Sequence, residues 1–96
     1  MSQIVTFEIT AKKGEEKALV MFFKDTLHET SSFEGCIRVE LHTEEQSEGT
    51  IFMFEEWETK QNYENYLAWR GERGDMDKLM QFVDGPPTVR FFDQAK

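Results

Sequence analysis

Two segments near the middle of the chain alternate residue types with a period of two, the pattern of β-strands whose two faces differ. They are residues 35–42, Gly-Cys-Ile-Arg-Val-Glu-Leu-His, and residues 50–57, Thr-Ile-Phe-Met-Phe-Glu-Glu-Trp. The connector, residues 43–49, is acidic and ends in glycine, which predicts a β-hairpin with a longer loop. Because both faces carry large or unusual side chains, we expect one face to border a pocket and the other a partner subunit.

The rest of the chain shows further strand and helix patterns. Apolar residues recur after Gly14 with the i, i+3, i+4 spacing of an amphipathic helix, which the pair Ser31-Ser32 ends. Thr59 is placed as the N-cap of a second helix, which Gly71 and Gly74 break. The predicted elements are strand 4–10, helix 15–28, strand 35–42, strand 50–57, a helix after residue 59, a short helix at 76–83 and strand 88–93.

The order of these elements, β-α-β-β-α-α-β, is typical of a ferredoxin-like α+β fold. In such a fold, helices cover one face of a four-stranded antiparallel sheet, and the other face stays bare unless something packs on it. If that face is apolar, the packing of two sheets against each other is the natural solution. We therefore interpret residues 1–96 as a single domain and expect a homodimer that forms through its sheet faces.

Composition and charge narrow the classes of partner. The net charge is −8, so the electrostatic field of the protein repels nucleic acid and anionic lipid. No apolar run approaches the length of a membrane span. The single cysteine, Cys36, fits a reducing compartment, and residues 1–3 do not begin a secretory signal. We expect a cytoplasmic protein that binds neither nucleic acid nor membranes.

The sequence offers no pattern typical of a bound metal or nucleotide. His28 and His42 fall on different predicted elements, with one cysteine between them, which does not match the spacing of metal ligands. No glycine-rich phosphate loop is present. We expect no cofactor.

Several segments together resemble a known family. They are residues 35–42, residues 52–59 (Phe-Met-Phe-Glu-Glu-Trp-Glu-Thr), Lys13-Gly14 before the first helix, and residues 85–90 (Gly-Pro-Pro-Thr-Val-Arg). In this order they resemble the antibiotic biosynthesis monooxygenase family over nearly the whole chain. The resemblance implies a dimeric α+β barrel with a pocket between the sheet and the helices of each subunit. Members of the family include cofactor-free oxygenases of quinols and polyketide aromatics, haem-degrading enzymes, and proteins with no assigned reaction.

The chain departs from the better understood branches of that family. The haem-degrading branch has an asparagine on the first strand, and a tryptophan and then a histidine ligand after the third strand. The corresponding region here has Phe7, Tyr66 and no histidine between residues 43 and 96. Quinol oxygenases often carry a Pro-His-Phe-like segment where residues 69–71 read Trp-Arg-Gly. These departures argue against haem degradation and against a quinol reaction assisted by a histidine in that segment.

Cofactor-free oxygenation places simple demands on a site. The substrate must lose a proton, because its anion gives an electron to oxygen far more readily, and the site must hold that anion and exclude water. We assign the candidate catalytic roles to His42 as the base and to Arg70 and Tyr66 as the groups that hold the substrate oxygen. The candidate substrate-binding residues are Phe7, Phe54, Trp57, Tyr63 and Trp69.

These residues also have structural explanations. His42 could be a partly solvated residue near the hairpin turn, and Arg70 could pair with a surface carboxylate. Tryptophans pack in cores or interfaces more often than they catalyse, and a tyrosine can bury its ring while its hydroxyl reaches water.

Charged residues of the first hairpin strand form a separate group. Arg38 shares one face of that strand with His42 and Cys36, and a charged face in the middle of a sheet must find partners or water. We expect Glu55 or Glu56 to pair with Arg38 across the hairpin, and such pairs could simply fix a dimer interface.

Taken together, these patterns predict a small homodimeric, cofactor-independent monooxygenase of an aromatic or quinol-type substrate. The alternative is a non-catalytic module of the same fold that binds a small apolar ligand or an interaction partner.

Overall fold

The computed structural model describes residues 2–95, apart from the side chain of Glu48. Its strands form one antiparallel sheet in the order β2-β3-β1-β4, which confirms the predicted ferredoxin-like α+β fold. The elements are β1 (Gln3–Thr10), α1 (Glu16–Ser32), β2 (Cys36–Glu44), β3 (Ser47–Trp57), α2 (Lys60–Arg73), α3 (Asp75–Met80) and β4 (Thr88–Phe92).

Helix α1 continues past its predicted end at His28 and ends at Ser32. The hydroxyls of Thr26 and Thr30 donate to backbone carbonyls one turn earlier, at 3.0 and 3.4 Å. Polar residues that usually favour turns can therefore remain helical here, because their side chains bond back to the helix itself. The helix ends where Phe33 adopts an extended backbone conformation.

Helix α2 begins as predicted and ends at the second of its two predicted breaks. The Thr59 hydroxyl accepts a hydrogen bond from the backbone N–H of Asn62 at 3.1 Å, which confirms Thr59 as the N-cap. Gly71 does not break the helix. The helix ends at Gly74, whose φ of 80° is the left-handed conformation that favours glycine at helix ends.

The hairpin is tighter than predicted. Strand β2 reaches Glu44 and β3 begins at Ser47, so the connector is Glu45-Gln46 rather than residues 43–49. Two-residue connections are the commonest in hairpins, and polar side chains at exposed strand ends reach water without leaving the sheet. The predicted longer loop is therefore wrong.

A β-bulge at the start of β2 changes which side chains share a face. Cys36 pairs with Trp57 and Arg38 pairs with Glu56, so Ile37 is the extra residue. Cys36 therefore faces the helices, and the prediction that it shares a face with Arg38 is wrong. Burial raises the pKa of the Cys36 thiol to about 11, which makes it a poor nucleophile.

The two faces of the sheet have different characters. The inner face, toward the helices, carries two buried clusters. The outer face carries side chains that alternate with them, including Arg38, Glu40, His42, Phe52 and Phe54. Within residues 2–95, no helix combines the length and apolar content needed to span a membrane. The first buried cluster is Ile9, Leu19, Phe23, Ile51, Met53, Leu79 and Val83, and the second is Val5, Trp57, Tyr63 and Tyr66.

Candidate active site

A small cavity lies between the inner face of the sheet and the helices, lined by members of both buried clusters. Its volume is about 60 Å³, which is room for a few water molecules and well below the several hundred Å³ of most ligand pockets. Aromatic and aliphatic side chains make most of its wall. The charged residues that reach it are Glu55, Arg70 and Asp75.

Glu55 is a buried carboxyl group in the middle of the inner face. It is 4% exposed, and its Oε1 accepts a hydrogen bond from the indole Nε1 of Trp57 at 2.9 Å. Within residues 2–95 no hydrogen bond is made to its other oxygen, Oε2. Because no fully enclosed side-chain oxygen or nitrogen in that range lacks a partner, Oε2 must border open space. Burial raises the pKa of Glu55, although the Trp57 hydrogen bond and the charge of Arg70 act in the opposite direction. Such a group takes up or releases a proton closer to neutral pH than an ordinary glutamate does, which suits general acid–base catalysis.

Glu55 is not among the site residues predicted from the sequence, although the residue pattern of β3 indicates its burial. Arg38 lies near Glu56, with Nε and Oε1 3.9 Å apart, so the cross-strand partner is Glu56 and not Glu55. Glu55 is the one charged residue in an alternation that is otherwise apolar, and an acid in such a position must be buried with the apolar side chains. That alternation along β3 is Ile51, Met53, Glu55 and Trp57.

Arg70 is buried on α2, and its guanidinium group makes hydrogen bonds to residues of all three helices. A guanidinium has five N–H donors, and each of the five has an acceptor within the chain. Arg70 is therefore engaged as a structural clamp and has no N–H left for a substrate anion. Its hydrogen bond also lowers the pKa of Glu29. The acceptors are the Tyr66 hydroxyl, the Glu29 and Asp75 carboxylates, the Thr26 carbonyl and the Thr30 hydroxyl, at 2.8 to 3.1 Å.

The two tyrosines of α2 differ in how their hydroxyls are bonded. The Tyr66 hydroxyl lies 2.7 Å from the Thr30 hydroxyl and accepts from Arg70 at 2.9 Å. Tyr63 is 3% exposed, and within residues 2–95 its hydroxyl has no hydrogen-bond partner. Burial raises the pKa of Tyr63, and the charge of Glu55 adds to this shift. Tyr63 is therefore a neutral donor that remains available at the cavity.

The structure brings four of the predicted site residues together. Phe7, Tyr63, Tyr66 and Arg70 all line the cavity. Phe7 contributes an aromatic wall, with its ring centroid 5.7 Å from that of Phe23.

The two tryptophans lie behind this wall. Trp57 is fully buried, and its ring centroid lies 5.1 Å from that of Tyr66. Trp69 packs on Phe33 at 5.3 Å, and the guanidinium groups of Arg70 and Arg73 lie over its ring. Neither tryptophan is a wall residue of the cavity. Trp57 acts on the site through its hydrogen bond to Glu55.

His42 and Phe54 lie on the outer face, on the other side of the sheet from the cavity. The Nε2 atom of His42 is 3.1 Å from Glu40, and the side chain is half exposed. Phe54 packs under the guanidinium of Arg38, 4.7 Å from its ring centroid. Period-two alternation puts these residues opposite their inner-face neighbours. The structure therefore does not bring His42 to Arg70 and Tyr66.

In the part of the chain that the structure describes, no group of three or more His, Cys, Asp or Glu side chains is arranged to hold a metal ion.

The chain matches a known protein family. The family model for antibiotic biosynthesis monooxygenases matches residues 2–70, and this chain belongs to that family.

Two solved structures illustrate the likeness. A conserved protein from Methanosarcina mazei Go1 has a TM-score of 0.87 and 17% sequence identity, covering 99% of this chain and 94% of that one. A mutant of SnoaB, a cofactor-independent oxygenase from Streptomyces nogalater, has a TM-score of 0.82 and 14% identity, also covering 99% and 94%. At these identities the likeness shows the fold alone. No curated protein matches the chain.

Proposed function

We propose that this protein is a cofactor-independent monooxygenase of a small aromatic or quinol-type substrate, with Glu55 as its base. One observation carries the proposal: a buried carboxyl group with a free oxygen, Oε2, belongs to a residue that lines an aromatic cavity, in a chain of a monooxygenase family. In this assignment Oε2 takes the proton whose loss makes the substrate reactive toward oxygen. The Tyr63 hydroxyl then donates a hydrogen bond to the oxygen on which negative charge develops.

The reaction needs no electron donor other than the substrate. In an anthrone, the reacting CH₂ carbon loses a proton to Glu55, and the anion gives one electron to O₂. The two radicals combine into a peroxide at that carbon, and Glu55 returns its proton to the outer oxygen. The O–O bond then breaks as the carbon loses its second hydrogen. One oxygen atom stays as a carbonyl, and the other leaves as water with the two hydrogens.

The remaining groups of the site orient these two. The Trp57 indole holds Oε1, which leaves Oε2 free on a side chain that lines the cavity. Arg70 donates a hydrogen bond to the Tyr66 hydroxyl and so fixes that ring at the cavity wall. The cavity must widen to admit an aromatic ring. Met76 lines it, is 38% exposed, and has the unbranched, adaptable side chain that such widening requires.

Oxygen uptake by metal-free protein with a panel of hydroquinones and anthrones tests the proposal. We expect substrate-dependent uptake, and Glu55→Gln should lower its rate by about 10²- to 10⁴-fold, the usual contribution of a general base. Glu56→Gln is the matched control, since it removes the same charge one residue away on the outer face, and it should retain the rate. If His42→Ala abolishes uptake and Glu55→Gln does not, the base lies on the outer face and the assignment is wrong.

A non-catalytic module that binds a small ligand is the second candidate. The full engagement of Arg70 favours it, because no N–H of that cation is left to stabilise a substrate anion. Binding of aromatic molecules at the cavity, with no oxygen uptake across the whole panel, would support this candidate and contradict the enzyme.

We also propose that two copies of the chain pack through their outer faces. Phe52 and Phe92 are each more than one-third exposed there, and the resemblance to dimeric barrels agrees with this arrangement. Sedimentation at micromolar concentration should give twice the mass of the 11.3 kDa chain, and Phe52→Asp should shift it toward the single chain. A native mass near that of one chain would contradict the proposal.

A further inference from the structure

The polar groups at the cavity are unevenly available to a ligand. Glu55 offers a free acceptor, Oε2, and Tyr63 offers a free hydroxyl donor. Both side chains are more than nine-tenths buried. Among the described residues that line the cavity, Arg70 is the one cation. The charge that a ligand meets there depends on whether Arg70 can turn to it.

Arg70 cannot do so without giving up its hydrogen bonds to two carboxylates. Its Nη1 bonds Glu29 at 2.8 Å and Asp75 at 2.9 Å. The side chain of Asp75 is 8% exposed, and its second cation, the Nε of Arg73, is farther away at 3.4 Å on a side chain that is 42% exposed. Losing the shorter bond from Arg70 would leave this buried carboxylate only weakly compensated, which is unfavourable. Glu29 is shared with Arg73, whose Nη1 lies 3.1 Å away. The positive charge of Arg70 is thus already matched by the protein's own carboxylates.

A ligand carboxylate in this cavity would have no counter-ion and would lie near Glu55. Coulomb repulsion is strong where water is excluded, and the net charge of −8 adds to it at longer range. An uncharged ligand with a hydroxyl meets the opposite situation. Its O–H has a free acceptor in Glu55, and a second polar atom can accept from Tyr63.

We propose that the cavity binds an uncharged aromatic molecule whose hydroxyl donates to Oε2 of Glu55, and that it rejects a carboxylate of the same shape. This rests on the proposed function and specifies the charge and the hydrogen-bonding group of the substrate. Selection of this kind comes as much from what the site repels as from what it attracts.

The test measures binding of three monocyclic probes by calorimetry near neutral pH. The probes are 4-hydroxybenzamide, which is uncharged, 4-hydroxybenzoate, which has the same shape and a negative charge, and 4-methoxybenzamide, which lacks the hydroxyl donor. None is a quinol or an anthrone, so binding is measured without the proposed reaction. We expect 4-hydroxybenzamide to bind at least about tenfold more tightly than either of the others, in line with one lost hydrogen bond or one unpaired charge.

Matched variants locate the selection. Glu55→Gln should weaken the binding of 4-hydroxybenzamide and reduce the ratio of its affinity to that of 4-hydroxybenzoate. Glu56→Gln should leave the affinities for both probes unchanged. Equal or tighter binding of 4-hydroxybenzoate to the native protein would overturn the inference, and so would no binding of 4-hydroxybenzamide at millimolar concentration. The affinities of the native protein for the charged and uncharged probes test the inference even if Glu55→Gln fails to fold.

The inference and the proposed function can fail separately. A lack of oxygen uptake with quinols would contradict the enzyme and leave the order of probe affinities intact. Equal affinities for the charged and uncharged probes would contradict the inference whether or not uptake occurs.

Discussion

Glu55 and Glu56 are neighbours in the chain and have the same side chain, but the sheet places them in opposite environments. Glu55 is on the inner face, 4% exposed and bonded to the Trp57 indole. Glu56 is on the outer face, where it accepts from the Ser2 hydroxyl at 2.6 Å and lies 3.9 Å from Arg38. Burial raises the pKa of Glu55. The chemistry available to a glutamate here thus follows from the face it occupies, and the same contrast extends to the arginines.

The largest difference in stability is expected between substitutions of two arginines: Arg70, which is buried on α2 on the inner side of the sheet, and Arg38, which lies on the outer face. Arg70→Met removes the buried cation of Glu29 and Asp75 and leaves them only the half-exposed Arg73, and we expect it to lower the free energy of unfolding by about 3–5 kcal/mol, as for other broken buried ion pairs. Arg38→Met is the matched change on the outer face, where the Arg38 side chain is half exposed, and it should cost less than about 1 kcal/mol. Urea unfolding measures both. Similar losses for the two variants would mean that Arg70 is not the clamp that its contacts indicate.

The next effect concerns the hydrogen bond that orients Glu55. Trp57→Phe keeps an aromatic ring and removes the indole donor, which should cost about 1–3 kcal/mol of stability because a buried acceptor loses its partner. It should also raise the pKa of Glu55 further, because that hydrogen bond now lowers it. Carbon-13 NMR of the Glu55 carboxyl measures the titration directly. Trp69→Phe is the control, and it should leave the titration in place. An unchanged pKa in Trp57→Phe would show that the indole does not orient the base.

Features that depend on residues close together in the sequence could be predicted, and features that depend on residues far apart in the sequence could not. The element order and the Thr59 cap are local, and both were predicted correctly. The bulge at Ile37 depends on pairing with β3, which single-strand alternation does not reveal. The acceptors of Arg70 on α1 lie about forty positions away along the chain, so spacing within α2 could not show that its donors are all used. The burial of Glu55 follows from the alternation along β3, but the sequence left Glu55 and Glu56 open as partners of Arg38, and the structure pairs Arg38 with Glu56.

The pH dependence of stability compares Glu55 and Glu56 directly, and the expected change in the free energy of unfolding is smaller than for the substitutions above. Because the pKa of Glu55 is raised in the folded state, the native protein keeps a proton that the unfolded chain loses above the ordinary pKa of 4.5. The contribution of Glu55 to the free energy of unfolding therefore falls as pH rises from 4.5 through the raised pKa, and is most favourable below 4.5.

Unfolding of native protein, Glu55→Gln and Glu56→Gln across that range measures this slope. Glu55→Gln should remove the decline of the free energy of unfolding with rising pH. Glu56→Gln should show the same pH dependence as the native protein. The pKa of Glu29 is lowered instead, by its hydrogen bond from Arg70, so its contribution is fully present above 4.5 and is lost only at lower pH. It cannot mimic the Glu55 slope. A native protein that gains stability over the same range, with no change in Glu55→Gln, would contradict the raised pKa.

The smallest effect is expected for the ion pairs of the outer face. Glu40 lies 3.1 Å from both Arg38 and His42, and the three side chains are 42–55% exposed. Glu40→Gln should therefore change the free energy of unfolding by less than about 1 kcal/mol, and added salt should reduce even that. The proposed dimer makes this prediction depend on concentration. If a second copy covers the outer face, the free energy of unfolding lost in Glu40→Gln should be small at low protein concentration. The loss should grow as the dimer forms, because the same charges are then buried. A loss that is large at every concentration would show that the outer-face pairs stabilise the single chain, and the contrast between the two faces would not hold.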